Sequence, residues 1–148
     1  MDELLWRLCV ELGLCLPASE QARLAADPPD GGDALTDAIF AAEGLYPRPA
    51  HQGLWNQARA RVSAYFNNLA RSAHQHSADH RDEIEASDLC GCFYCVSVFA
   101  PGEIREWTDN GKTALCPYCG IDSVIGDRSG APIAPGFLTV MREEWFEK

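Results

Sequence analysis

Apolar positions recur at helical spacing through the first half of the chain. Between Asp2 and Leu16 the residues Leu5, Leu8, Cys9, Leu12 and Leu16 fall on a helical repeat. Pro17, which cannot continue a helix, marks its end. Ser19 then suits the cap of a short helix through Leu24. The stretch "DPPDGGD" reads as a loop, because Pro removes amide donors and Gly tolerates left-handed turns. Asp33 fits as the cap of "ALTDAIFAAEG", with Leu35, Ile39 and Ala42 on one face and Gly44 as its stop. After a break at "LYPRPAHQG", the residues Trp55, Ala58, Val62, Tyr65, Phe66, Leu69 and Ala73 form an apolar stripe about five turns long. Such an aromatic-rich stripe is core chemistry rather than a cofactor box.

The periodicity stops at "HQHSADHRDEIEASD", which reads as a helix tail or linker. Beyond it the pattern changes to short segments. "DNG" is a turn signal, "DSVIGD" a strand candidate, and "APGFLTVMREEWFEK" a closing helix with Pro135 in its first turn and Leu138, Met141 and Trp145 on one face. The pattern predicts an α+β chain, mostly α. A helical domain at 1–82 precedes a zinc-ribbon-like β module at 83–148, which a C-terminal helix closes.

Cysteine changes the picture most. Five of the seven cysteines lie between Cys90 and Cys119. Cys92-Phe-Tyr-Cys95 and Cys116-Pro-Tyr-Cys119 are two C-x2-C pairs twenty residues apart. Each pair can form a tight turn with both sulfurs aimed at one centre, and two such turns face to face give four thiolates at tetrahedral corners. The expected ligands are Cys92, Cys95, Cys116 and Cys119, holding one structural zinc per chain. Iron in a rubredoxin-like site is the less favoured occupant, since tetrahedral sulfur suits both metals. A glutaredoxin-type reading of "CPYC" fails because only 29 residues follow Cys119, too few for that fold. Cys90 reads as a thiol beside the site, and Cys9 and Cys15 as small core residues on different helix faces. His76 and His80, four apart with Asp79 and Glu83 near and His74 preceding, have metal-binding spacing, but their polar surroundings suit a solvated helix tail better.

Charge then narrows the partners. The net charge is −10, split as −6 over residues 1–50, +2 over 51–82 and −6 over 83–148. Four thiolates on a divalent zinc would add about two negative units to the last segment. The single modest basic stretch, Arg59, Arg61 and Arg71, is the only footprint for nucleic acid, so a protein partner with a basic surface is expected instead. No apolar run approaches the roughly 20 residues of a membrane span. The N-terminal stretch is acidic, without the basic region of a signal peptide, so a cytoplasmic address is expected. In that compartment clustered cysteines serve as metal ligands or catalytic groups more often than as disulfides.

Residues 88–147 resemble a family of small bacterial proteins described only as cytoplasmic. The resemblance rests on "CGCFYC", on the stretch holding Phe99, Pro101, Glu103, Ile104 and Trp107, on "TALCPYCGIDSVIG" and on the closing "EEWF". It implies no particular activity. With neither a glycine-rich phosphate loop nor a recognisable nucleophile–base set, and with a metal site closed by four ligands, the chain reads as a non-enzymatic binding protein, of the inhibitor or immunity type. The alternatives are a zinc ribbon acting on nucleic acid through Arg59, Arg61 and Arg71, and a small iron redox protein.

Overall fold

A computed structural model describes residues 1–46 and 48–147, the side chain of Arg48 aside; within the expected break at 45–53, Pro47 lies outside the described residues, as does Lys148 after the closing helix. The protein is α+β and mostly α, and it divides into two compact units, Met1–Phe66 and Asn67–Lys148. The division falls inside a long helix, ahead of the 1–82/83–148 boundary anticipated where periodicity fades.

The N-terminal unit is built from α1 (Asp2–Leu12), α2 (Ala18–Ala26), α3 (Gly32–Ala42) and the first part of α4 (Gln52–His74). Leu4, Leu5, Leu8, Leu24, Leu35, Ile39, Phe40, Ala58 and Val62 are buried and supply its core, so the helical stripes face inward as their spacing requires. The helix starts differ from expectation. Ser19 lies inside α2, whose cap is Pro17, and Asp33 lies in the first turn of α3, whose cap is Gly31 at φ 91°. An acidic side chain in a first turn interacts favourably with the helix dipole without capping it. Gly44, at φ 70°, stops α3 as read from the sequence, with the Leu45 amide reaching back to the Phe40 carbonyl.

The end of α1 overturns the reading of Cys9 and Cys15. The helix stops at Leu12, not Leu16, because Gly13 takes a left-handed conformation at φ 74° and its amide closes on the Cys9 carbonyl at 2.9 Å. The chain doubles back, and Leu14 and Leu16 enter the core from outside the helix. Cys15 thereby returns to Cys9, and the two form a disulfide at the surface instead of two core thiols.

The C-terminal unit holds the rest of α4, then α5 (Arg81–Glu85), β1 (Cys90–Cys92), β2 (Val98–Phe99), β3 (Trp107–Thr108), β4 (Thr113–Ala114), β5 (Val124–Gly126) and α6 (Pro135–Phe146). β1 lies between β2 and β5, antiparallel to both, while β3 and β4 form a separate hairpin. Asp109, Asn110 and Gly111 all have positive φ in that hairpin's turn, the conformations for which "DNG" is suited. α6 starts on Pro135 and buries Phe137, Leu138 and Met141. Gly91 gives it room, since a Cβ there would come within 2.8 Å of Leu138.

The expected linker is part of this core. α5 buries Ile84 completely against Cys90, Cys92, Phe99, Ala114, Cys116 and Val124. One apolar residue in a short polar helix leaves no periodicity to read.

Opening the Cys9–Cys15 bridge removes a constraint on the unfolded chain. Replacing both cysteines by Ser should lower stability by about 2 kcal/mol, at the low end for a disulfide because the loop is short. Denaturant titration checks this, and an unchanged midpoint would contradict it.

Candidate metal centre

Both C-x2-C turns close in the same way. The Cys92 amide donates to the Ser97 carbonyl at 2.9 Å and the Val96 amide to the Cys92 carbonyl at 2.8 Å. In the second turn the Cys116 amide donates to the Ile121 carbonyl at 3.0 Å and the Gly120 amide to the Cys116 carbonyl at 2.9 Å. The fifth position of each turn needs positive φ: Gly120 has 75° and Val96 has 62°. Glycine meets that demand freely, whereas a β-branched valine does so only under strain from its surroundings.

β1 carries the first turn, and the segment after β4 carries the second. The four sulfurs lie within 4.8 Å of one another, with Cys92–Cys119 at 3.6 Å and Cys95–Cys116 at 3.7 Å. A tetrahedral metal with sulfur ligands at about 2.3 Å requires sulfur–sulfur edges of about 3.8 Å. The donor set and its spacing therefore fit a single tetrahedral ion, and this group could hold a metal.

Polar groups surround the sulfurs. The Tyr118 amide lies 3.4 Å from the Cys116 sulfur, and the Ser97 and Ser123 hydroxyls lie 3.2 Å from those of Cys95 and Cys92. Burial pushes the Cys92 thiol up, against the amides of Cys95 and Tyr94 and the Ser123 hydroxyl. Burial also opposes ionisation of Cys95, but hydrogen bonds with the Ser97 hydroxyl and amide and with the Cys92 and Cys116 sulfurs together bring that thiol down to about 7. Cys119 is raised, again chiefly by burial. Four such thiols cannot all shed their protons beside one another without a cation to compensate.

Sequence reading did not include Ser97 and Ser123 in the site; the signal was their closeness to the cysteine turns. It also missed the brace on the second turn. The Glu103 carboxylate accepts from the Tyr118 hydroxyl at 2.8 Å and from the Ala100 amide at 2.9 Å. Cys90 is fully buried and outside the four-sulfur group, its thiol pushed up to about 12 by burial and then by Asp127. Burial of this kind disfavours the thiolate, which is the nucleophilic form.

The histidines do not share a helix face. α4 ends at His74, Asp79 has φ 51°, and His80 precedes α5. His80 is only 5% exposed, so it is no part of a solvated tail. His74 stacks on Trp145 at 3.8 Å between ring centroids. Among the described residues, the four cysteines are the one cluster of such side chains close enough to hold an ion.

No family model, curated protein or solved structure matches the chain. The site is therefore read from its own geometry. In the described residues no helix is long and apolar enough to cross a membrane.

Ser123, 2% exposed, orients its hydroxyl on the Cys92 sulfur. Ser123→Ala should weaken metal affinity about tenfold, as loss of a hydrogen bond to a ligand does elsewhere. Competition with a chromophoric chelator measures this; equal affinities would contradict it.

Proposed function

We propose that the protein is a non-enzymatic zinc protein whose metal holds the C-terminal unit together while its acidic surface engages a basic protein partner. The observation that carries the metal part is the pair of matching cysteine turns, with sulfurs separated by tetrahedral edge lengths. Zinc occupies such sets without redox chemistry, and four thiolates leave no ligand position for water or substrate. A closed site contributes to folding. That suits a unit whose strands run only two or three residues each. Iron would fill the same tetrahedron, and electron transfer is the reading that follows if it does.

Two features support a protein partner. The arginines of the basic stretch are engaged by carboxylates: Arg59 by Asp33, Arg61 by Glu11 at 3.0 Å and Arg71 by Glu144 at 2.9 Å. Their charge is thereby offset locally, which weakens the electrostatic attraction on which phosphate binding depends. The C-terminal unit also exposes aromatic side chains beside its first cysteine turn. Tyr94 and Phe146 meet edge to face at 5.0 Å, and Trp145 lies next to them in sequence. Aromatics are enriched at protein interfaces, and an acidic surface steers a basic partner toward them. An inhibitor or immunity protein for a basic partner has this character.

The Cys9–Cys15 pair reports on the compartment, since a reducing cytoplasm would open it. Trapping thiols at lysis should find Cys9 and Cys15 alkylated if the protein resides there; a protected pair would place it in an oxidising compartment.

Cys116→Ser should remove the metal and collapse the amide NMR signals of residues 67–147 while those of residues 1–46 keep their dispersion. A metal-free variant with its C-terminal signals intact would contradict a structural role. The immobilised protein should retain a basic protein from native lysate and release it as salt rises. Retention of DNA or RNA alone would favour the nucleic-acid reading instead.

A further inference from the structure

The Cys9–Cys15 bridge spans a reversal that the rest of the chain already holds. Ahead of Cys15, the left-handed Gly13 donates its amide to the Cys9 carbonyl at 2.9 Å, and the Leu14 amide donates to the Leu8 carbonyl at 3.2 Å. Those two bonds complete the helix stop without any sulfur. On either side of Cys15, Leu14 and Leu16 are buried in the core. Beyond it, Gln21 Nε2 donates to the Leu16 carbonyl at 2.8 Å, and the Glu20 and Gln21 amides donate to the Pro17 carbonyl at 3.0 Å. The end of α1 is also tied to α4, through Glu11 and Arg61 at 3.0 Å. Both cysteines are therefore held in place by contacts that remain when the S–S bond is open.

Access to the two residues is uneven. Cys15 is exposed, whereas Cys9 is half-buried in the last turn of α1. The neighbouring surface is open at Gly13, where an added Cβ would meet nothing within 4 Å. Exchange requires a thiolate to reach one of the two sulfurs, so its rate follows access. Attack falls on Cys15, and Cys9 becomes the sulfur that leaves.

The preformed reversal then selects the reagent. After a lone thiol has attacked Cys15, Cys9 stays beside the mixed disulfide at high effective concentration and expels the newcomer. A dithiol can complete the exchange, because its second thiol displaces Cys15 from the mixed disulfide. The same proximity makes bond closure more favourable in the folded chain than in the unfolded one. The ratio equals what the bridge adds to stability, about thirtyfold for so short a loop.

We propose that Cys9 and Cys15 form a thiol–disulfide exchange site for a dithiol reductant, which opens and closes while the N-terminal unit stays folded. The first thiolate of the dithiol attacks the Cys15 sulfur; the Cys9–Cys15 bond breaks, and Cys9 leaves as a thiolate and takes a proton. The second thiolate attacks the dithiol's own sulfur in the mixed disulfide; Cys15 leaves and takes a proton. The dithiol ends as a disulfide, and two electrons and two protons have passed to the pair.

The test treats the full, metal-loaded chain with dithiothreitol or with glutathione at equal thiol concentration and maps Cys9 and Cys15 by alkylation and mass spectrometry. Dithiothreitol should open the pair at a rate proportional to its concentration, and glutathione should leave it closed. In the opened protein the Gly13 and Leu14 amides should stay protected from hydrogen exchange. The equilibrium with dithiothreitol should favour the closed pair about thirtyfold more in the folded chain than in urea. Single variants identify the attacked sulfur: Cys15 in Cys9→Ser should take up glutathione from its disulfide faster than Cys9 does in Cys15→Ser. An opening rate that levels off at the rate of global unfolding would overturn the proposal, since the bridge would then be a staple reached only through the unfolded chain. Loss of protection at Gly13 and Leu14, equal opening by glutathione, or faster reaction at Cys9 would overturn it as well.

Discussion

Four thiols lie within 4.8 Å of one another, two of them raised by burial, and they can all ionise together only where one cation serves them all. Much of the C-terminal unit follows from that requirement. The strands are too short to hold each other unaided, and the sulfurs of Cys92 and Cys116 are themselves core side chains among Ile84, Phe99, Ala114 and Val124. Amides from both turns and the Ser97 and Ser123 hydroxyls lie against the sulfurs, a setting in which the four cysteines could hold a metal ion. The Glu103–Tyr118 contact fixes the second turn from outside.

The N-terminal unit solves its stability problem differently. Its helices bury a continuous set of leucines with Ile39, Phe40 and Val62, and a disulfide ties the reversal after Gly13. One unit thus packs helices around a leucine core with a disulfide at its surface, and the other gathers four cysteines that could hold a metal ion. Small cores commonly recruit such cross-links.

What was legible in the sequence followed from signals that depend on neighbours in the chain. Helix stripes, the stop at Gly44, the "DNG" turn, Pro135 and the two cysteine turns are all of this kind. What was not legible depended on the chain folding back. A left-handed Gly13 ended α1 a turn early and made partners of Cys9 and Cys15, which a continuous helix would have held apart. His80 looked solvated among polar neighbours, yet its burial comes from Lys112, Thr113 and Ala114, more than thirty residues on. Ser123 meets Cys92 across thirty-one residues. Ile84, alone in a polar stretch, had no periodic partner to reveal it as core.

The most direct test of the metal-centred account is elemental analysis of protein purified without added metal, paired with its visible spectrum. One zinc per chain in a colourless solution is the expected result. Iron with a charge-transfer absorption would contradict the zinc assignment and make electron transfer the function to pursue, and a folded chain holding no metal at all would contradict the account itself.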